Sequence, residues 1–418
     1  MKISTSHLLK TALFLVGITL ASTASAQKLD SLITRIRKDT ATTNLNMDAI
    51  YNRPFLSVGK KKVRLAMGGY LEANSIYSST DGVSEGLSFQ ARRLTIFMSA
   101  SIGQRIKFLS EIEFEDGGKE IAIEFAAMDI EFHPLANLRG GIFMNPIGAF
   151  NQNHDGPNWE FVERPDVAVS LLPATWSNAG GGLYGKAYSG NWVFGYEAYL
   201  TNGFDNSIID NEEGKTFLPA SKRRAGRFEE TNNGQPLITA KATVRQRKIA
   251  ELGFSYMGGV YNRFEADGVV LMNNKLSMDA FAIDLRTTLP TLNTTIIGEA
   301  VYIMVDVPST YIQTYGNRQW GAFVDIVQPI LKRSILKWEN ATLNLALRLD
   351  YVDWNVGTIN ETGATIGEDI FAITPAISFR PSPQTVIRIN YRYSWQKDFL
   401  NNPASQSASW LVGLSTYF

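Results

Sequence analysis

The amino-acid sequence predicts an all-β protein, a transmembrane antiparallel β-barrel of about sixteen strands with a long third loop folded into its lumen. Three observations predict this fold. Apolar and polar residues alternate with period two from Arg64 to the last residue, as they do in membrane barrels. Short and long connections alternate, as periplasmic turns and outer loops do. The chain begins with an export signal, and no later apolar run is long enough for a spanning helix.

Residues 1–26 have the features of a secretory signal peptide. Lys2 and Lys10 precede a short apolar core at Leu13–Leu20, and a small-residue site predicts cleavage after Ala26. A membrane anchor is the alternative, but the apolar run is shorter than the roughly 20 residues that span a bilayer. Cleavage leaves 38 basic and 40 acidic residues. This balance lacks the basic face of a nucleic-acid-binding protein, so no nucleic-acid partner is expected.

Residues 27–63 are predicted to form a periplasmic leader ahead of the barrel domain at 64–418. Helical spacing at Leu29, Leu32, Ile33 and Ile36 leaves two interpretations open, a flexible leader or a short helix with a role in oligomerisation. One or two isolated helical turns are marginally stable, which favours the flexible leader. The chain contains no cysteine, so disulfides and thiolate-bound metals are excluded.

The barrel strands are predicted from alternation and turn residues. Their ranges are 64–77, 87–101, 104–116, 119–133, 137–145, 180–189, 191–201, 236–246, 249–259, 276–289, 292–304, 319–330, 341–353, 368–380, 384–396 and 408–418. In 119–133 the apolar phase changes near Ala126 and Ala127, which predicts a bulge. Aromatic residues gather at strand ends, as in the girdles at the two membrane interfaces.

The last predicted strand carries a candidate assembly signal. Its outward face presents Trp410, Val412, Leu414 and Phe418, and the chain ends on that aromatic residue. A final amphipathic strand ending in Phe resembles the assembly signal of bacterial outer-membrane proteins. We therefore expect the bacterial outer membrane as the location, with its lipids and the barrel assembly machinery as partners.

Alternation assigns charged side chains to the lumen. On the wall these are Arg93, Lys241, Arg245, Arg286, Arg348, Arg388 and Arg392, and on the inward loop they are Asp155, Glu160, Glu163 and Asp166. Closing the last strand on the first gathers Arg93, Arg348, Arg388 and Arg392 in one sector. One interpretation is a constriction in which this basic wall faces the acidic loop across a transverse field. The other is that the charges solvate the lumen and pair with one another.

Three neighbouring segments carry a resemblance to a known family. They are QARRLTIFMSASIG at 90–103, RIKFLSEIEFED at 105–116 and AAMDIEFHPLANLRGGIFMNPIG at 126–148. Together they resemble the phosphate-selective porin O and P family over roughly residues 60–418. The resemblance implies an outer-membrane porin, expected to be a homotrimer, for passive diffusion of small hydrophilic solutes or ions. Anions such as phosphate are among the implied solutes.

No catalytic site is predicted. The three histidines are His7, His133 and His154, and no metalloprotease, serine-hydrolase or phosphate-loop motif occurs. No cofactor or metal is expected; calcium at Asp155 or Asp205 stays open, without EF-hand ligand spacing to support it. A solute-specific channel and a barrel with a plugged lumen and a structural or adhesion role are the alternative functions.

Overall fold

The computed structural model describes residues 45–58, 63–266, 269–270, 275–308, 316–358 and 362–418. Sixteen antiparallel strands form the barrel: β1 Val63–Thr80, β2 Val83–Ile102, β3 Ile106–Glu115, β4 Glu120–His133, β5 Ala136–Met144, β6 Ser177–Ser189, β7 Trp192–Thr201, β8 Leu237–Gln246, β9 Ala250–Val260, β10 Ser277–Thr288, β11 Thr295–Val305, β12 Arg318–Ile335, β13 Trp338–Asp353, β14 Asp369–Ser382, β15 Thr385–Gln396 and β16 Ser405–Tyr417. All sixteen predicted strands are present in the predicted order.

The barrel is closed. Each strand pairs with its neighbour in sequence, and β16 pairs with β1 from Tyr417 opposite Tyr70 to Ser407 opposite Thr80. Closure satisfies the backbone hydrogen bonds that a sheet edge would leave open in a bilayer. A small hairpin, Glu265–Ala266 with Val269–Val270, stands apart from this sheet. The helices in the described ranges are all too short or too polar to cross a membrane.

The distribution of polarity is inverted relative to a soluble protein. In β7, exposed and buried residues alternate strictly; Phe194 is 45% and Leu200 55% exposed, whereas the inward Glu197 is 2% exposed. The outward face of β16 is likewise apolar and exposed, from Trp410 to Phe418. Apolar side chains outside and polar side chains inside are the pattern of a barrel surrounded by lipid.

Two connections are tighter than predicted. Strands β1 and β2 meet at Asp81 and Gly82, with φ 49° and 83°, where an outer loop over 78–86 was expected. Strands β12 and β13 meet at Leu336 and Lys337, with φ 48° and 71°. Two central residues with positive φ make the two-residue hairpin turn whose twist suits antiparallel strands. The ladders therefore continue past the point where the hydrophobic alternation fades.

The predicted bulge in β4 is present, slightly earlier than expected. Glu111 pairs with Phe125 and Ile112 pairs with Ile123, so Glu124 is the extra residue. Glu124 and Phe125 are both buried on the lumen side. One inserted residue is what reverses the phase of the side chains that follow it.

Residues 45–55 lie inside the barrel, and Leu56–Val58 pairs with its wall, so the prediction of a leader separate from the barrel does not hold for this segment. A 3₁₀ helix at Asn46–Asn52 buries Met47 and Ile50 against the inner wall. Leu56–Val58 then pairs with β1. Apolar spacing alone did not distinguish a lumenal segment from a periplasmic one. The possible helix at 29–36 lies outside the described residues.

Candidate functional site

The long connection between β5 and β6, residues 145–176, crosses the lumen as predicted; we call it loop 3. The backbone amides of Ala149 and Phe150 donate to Glu299 on β11 at 2.7 and 3.2 Å. On another part of the wall, the amide of Val162 donates to Asn390 on β15 at 2.6 Å. Wall side chains thus bind the backbone of loop 3, so its course does not depend only on its own side chains.

Each of the four predicted acids of loop 3 meets an arginine. Asp155 pairs with Arg53 at 2.6 Å, Glu160 with Arg380 at 2.7 Å, Glu163 with Arg92 at 2.9 Å and Asp166 with Arg392 at 2.5 Å. Only Arg392 among these arginines was predicted as a partner. At the last three of these pairs the loop contacts the wall directly, which agrees with the second of the two interpretations, that charges in the lumen pair with one another.

The two wall arginines missed by prediction lie at or beside irregularities in the ladder. Between β1 and β2, Glu72 pairs with Arg93 and Ala73 with Ala91, which leaves Arg92 as a bulged residue. A bulge moves a side chain to the opposite face, so strict alternation assigns Arg92 wrongly. Arg380 precedes the register shift between β14 and β15 and keeps the phase of the buried Ala376 and Ser378, so alternation already directs it into the lumen. The consecutive arginines Arg92 and Arg93 were the signal in the sequence that could have identified Arg92 as a lumen residue.

Glu72, which was not predicted, joins two of the predicted arginines. It contacts Arg93 at 3.1 Å and Arg388 at 2.6 Å. Arg388 also donates to the carbonyls of Gly156 and Trp159, at 3.0 and 2.9 Å. Its side chain is 1% exposed, so it fastens loop 3 to β15 rather than facing open water.

The remaining predicted cations are placed around the wall. Arg348 forms two hydrogen bonds to Asp325 at 2.6 and 2.7 Å. Lys241 pairs with Asp284 at 2.8 Å, and Arg245 with Glu251 at 3.3 Å. Arg286, near the end of β10, is exposed. The structure therefore brings Arg93 and Arg388 together at Glu72, while Lys241, Arg245 and Arg286 lie across the barrel on β8 and β10.

Arg53 joins the N-terminal segment to both loop 3 and the wall. Its guanidinium donates to Glu111 at 2.9 and 3.0 Å and to Asp155 at 2.7 and 2.6 Å. Tyr417 on β16 also donates to Asp155, at 2.7 Å. Burial disfavours the Asp155 carboxylate, but the Arg53 charge outweighs that effect and holds its pKa below the usual value. This bidentate group was missed because its partners are distant in sequence.

One side of the lumen is an apolar core. Val167, Leu171 and Trp176 of loop 3 pack in one cluster with wall residues such as Met257 and Val301. Residues of the connection between β7 and β8 complete that cluster: Phe204, Ile208, Ile209 and Leu218. Strands β9–β11 carry apolar residues at several inward positions, so water has little access to that side.

An outward-opening cavity of about 490 Å³ lies on the opposite, polar side. Its lining consists of Ile76, Ser78, Thr80, Glu85, Gly86, Ser88, Gln90, Glu163, Asp166, Arg392, Ser407, Ser409 and Leu411. The ion pairs Arg92–Glu163 and Arg392–Asp166 lie where this cavity meets loop 3. The polar space inside β1, β2, β15 and β16 therefore ends on charged side chains that prediction had placed in the lumen.

Comparisons with known proteins support the barrel fold. No family model matches the chain. An uncharacterized protein of Aquifex aeolicus (strain VF5) is 34% identical over 170 residues, which are 39% of this chain and 37% of that protein. The match thus spans little more than a third of the relative's length, and the resemblance to the phosphate-selective porin family remains a prediction.

Solved outer-membrane proteins share the architecture. The anion-selective porin from Comamonas acidovorans has a TM-score of 0.53 and 10% identity, covering 85% of this chain and 100% of its own. Salmonella typhi OmpF in complex with daunomycin has a TM-score of 0.55 and 11% identity, and the match covers 87% of this chain and 100% of OmpF. The trimer form of Vibrio cholerae OmpT has a TM-score of 0.51 and 8% identity, and the match covers 86% of this chain and 100% of OmpT. At these identities the likeness shows the fold, a barrel of the bacterial porin type.

Proposed function

We propose that this chain is an outer-membrane porin through which small hydrophilic solutes diffuse between loop 3 and strands β1, β2, β15 and β16. The observation that carries the proposal is the outward-opening polar cavity of about 490 Å³ that ends on loop 3. Apolar packing seals the other side of the barrel. A polar path beside an inward-folded loop is the arrangement expected of a diffusion channel.

Exposure separates two kinds of ion pair in the lumen. The side chains of Arg392 and Asp166 are each 21% exposed, and Glu163 is 35% exposed. Arg388 and Glu72 are 1% and 5% exposed. We assign the exposed pairs to the constriction, because partly hydrated pairs contribute little energy and rearrange easily. We assign the buried pairs to the anchoring of loop 3.

The proposed pore has weak ionic preference. The constriction cations Arg92 and Arg392 each contact a loop carboxylate, so an incoming anion meets a nearly neutral surface. Selectivity for anions such as phosphate, which the family resemblance implies, is the competing outcome. A homotrimer is part of the proposal, since OmpT has a trimer form. Export by a cleaved signal and insertion by the assembly machinery remain proposals, as does the lack of enzymatic activity.

Planar-bilayer recording tests the proposal. The wild-type chain is expected to conduct, and Arg392→Ala is expected to change both single-channel conductance and the reversal potential in a salt gradient. Lys332→Ala serves as the control, because Lys332 is an exposed residue near the end of β12. This variant should leave conductance and reversal potential unchanged. Equal conductance and reversal potential in wild type and Arg392→Ala would contradict the assigned constriction. Steps in multiples of three would support the trimer.

A second candidate function is a closed barrel with a structural or adhesion role. It is favoured by the amount of lumen that loop 3 and residues 45–58 occupy, with Leu45, Ile50 and Phe150 all 2% exposed. Liposome swelling with sugars and with anions separates the two candidates. Swelling with both supports the diffusion channel, swelling with anions alone restores the phosphate interpretation, and no permeation favours the closed barrel.

A further inference from the structure

A buried group of three potential metal ligands lies where loop 3 crosses β3. Glu111 and Glu113 are two residues apart on one strand, so both side chains point into the lumen. Loop 3 brings His154 over them, and one ligand atom from each residue lies within 4.8 Å of the other two. All three side chains are 0% exposed.

The imidazole of His154 turns its Nε2 toward this group. Its Nδ1 lies 3.0 Å from the carbonyl oxygen of Asn151, and a carbonyl only accepts, so Nδ1 carries a proton. Among the described residues, Nε2 has no hydrogen-bond partner. It lies 3.6 Å from a Glu111 oxygen and 3.5 Å from an Asp155 oxygen.

An unprotonated Nε2 facing carboxylates is repulsive, and either a metal ion between them or a proton on Nε2 removes that repulsion. A histidine that donates Nδ1–H to a backbone carbonyl has the orientation found in metal-binding histidines. Glu113 borders the same space; its Oε1 is buried and makes no hydrogen bond among the described residues, with Nε of Arg93 at 3.4 Å. Nε2 of His154 is thus a buried ligand atom without a hydrogen-bond partner, and it lies beside the Glu111 and Glu113 carboxylates.

We propose that Glu111, Glu113 and His154 bind one divalent transition-metal ion, which ties loop 3 to the barrel wall. One imidazole and two carboxylates form a donor set that suits Zn²⁺ better than Ca²⁺ or Mg²⁺, which favour oxygen ligands alone. Zinc lies about 2 Å from such ligands. Binding therefore draws the three ligand atoms closer together than their present separations of up to 4.8 Å.

Positive charges already surround the group. Glu111, Glu113 and Asp155 are the carboxylates beside His154, the guanidiniums that contact them belong to Arg53 and Arg93, and the charge of Arg164 also acts on Glu113. Arg53 donates to both oxygens of Glu111, so it competes with the metal for that ligand. A proton on Nε2 is the alternative occupant, and it would satisfy His154 without binding any ion.

Zinc titration of the full chain tests the site. The protein is refolded into detergent after chelator treatment and titrated with Zn²⁺ by calorimetry, and Co²⁺ absorption reports the coordination. We expect one ion per chain, with affinity at least tenfold lower in His154→Ala and in Glu113→Gln. Arg53→Met is expected to bind more tightly, because it removes the competing cation.

The control is His133→Ala. His133 lies beside the β4–β5 turn, where its Nδ1 accepts from the amide of Leu135 at 3.1 Å, and its loss should not change zinc affinity. Heat modifiability of each variant on gels verifies that the barrel has folded. Absence of saturable zinc binding by the folded wild type would overturn the proposal, as would equal affinity in His154→Ala. Either result would assign the proton alone to Nε2.

Discussion

Removal of the Arg53 guanidinium should release the N-terminal segment from the lumen. The side chains of Arg53, Glu111 and Asp155 are 1%, 0% and 4% exposed, so solvent screening does not weaken their contacts. Arg53→Met keeps the apolar length of the side chain and removes the charge. Two buried carboxylates, one on the wall and one on loop 3, then lose the cation they share.

The size of the effect follows from that burial. Removing one member of a buried ion pair costs about 3 to 5 kcal/mol, because the other charge remains buried. The lower value applies here, since Tyr417 still donates to Asp155. A change of about 3 kcal/mol raises the population with residues 45–58 outside the lumen by roughly 150-fold, at 1.36 kcal/mol for each factor of ten.

Cysteine labelling measures that population, because the chain contains no native cysteine. Ile50 is 2% exposed, so a maleimide reaches the Ile50→Cys thiol only when the segment leaves. Labelling should be about a hundredfold faster in Arg53→Met. Lys397→Met is the control; Lys397 and Asp369 are 42% and 21% exposed at 3.7 Å, a pair worth less than about 1 kcal/mol. Rates within threefold of each other in Arg53→Met and wild type would refute the reasoning.

Two further predictions concern loop 3. Gly148→Ala should lower the unfolding temperature more than Gly103→Ala. Both glycines have φ near +65°, so the backbone strain of the two substitutions is alike. Only at Gly148 would the added Cβ meet another group, the Glu299 carboxylate at 2.4 Å. Acidification should raise conductance. Burial opposes ionisation of Glu163, but the Arg92 charge outweighs burial and lowers the Glu163 pKa. The pair therefore narrows the constriction at neutral pH and is lost as pH falls through that lowered pKa. Arg92→Gln should flatten this pH response.

The barrel itself was predictable because its rule is local. In a closed sheet between lipid and lumen, each residue must face one or the other, and a period of two records that choice. The same rule fails wherever one residue is inserted, as at Arg92 and Glu124. The β4 bulge is visible because the apolar phase reverses after it, whereas the bulge at Arg92 shows no such reversal, so Arg92 was missed as the partner of Glu163.

The lumenal position of residues 45–55 could not be predicted for a different reason. Its determining contacts join Arg53 to Glu111 and Asp155, which are 58 and 102 residues away. Periodicity within the segment carries no information about partners so distant in sequence. Met47 and Ile50 bury apolar surface against the inner wall, where alternation had predicted only polar contacts.

Alternation assigns a side chain to a face, whereas function depends on what that side chain meets. Arg388 and Arg392 share one face of β15, four residues apart, and sequence gives them the same role. In the barrel, Arg388 is buried against Glu72 and loop 3 carbonyls, while Arg392 borders the cavity with Asp166. The difference arises from the course of loop 3, whose backbone is bound by Asn390 between them. One strand therefore supplies both an anchor for the loop and a charge for the constriction.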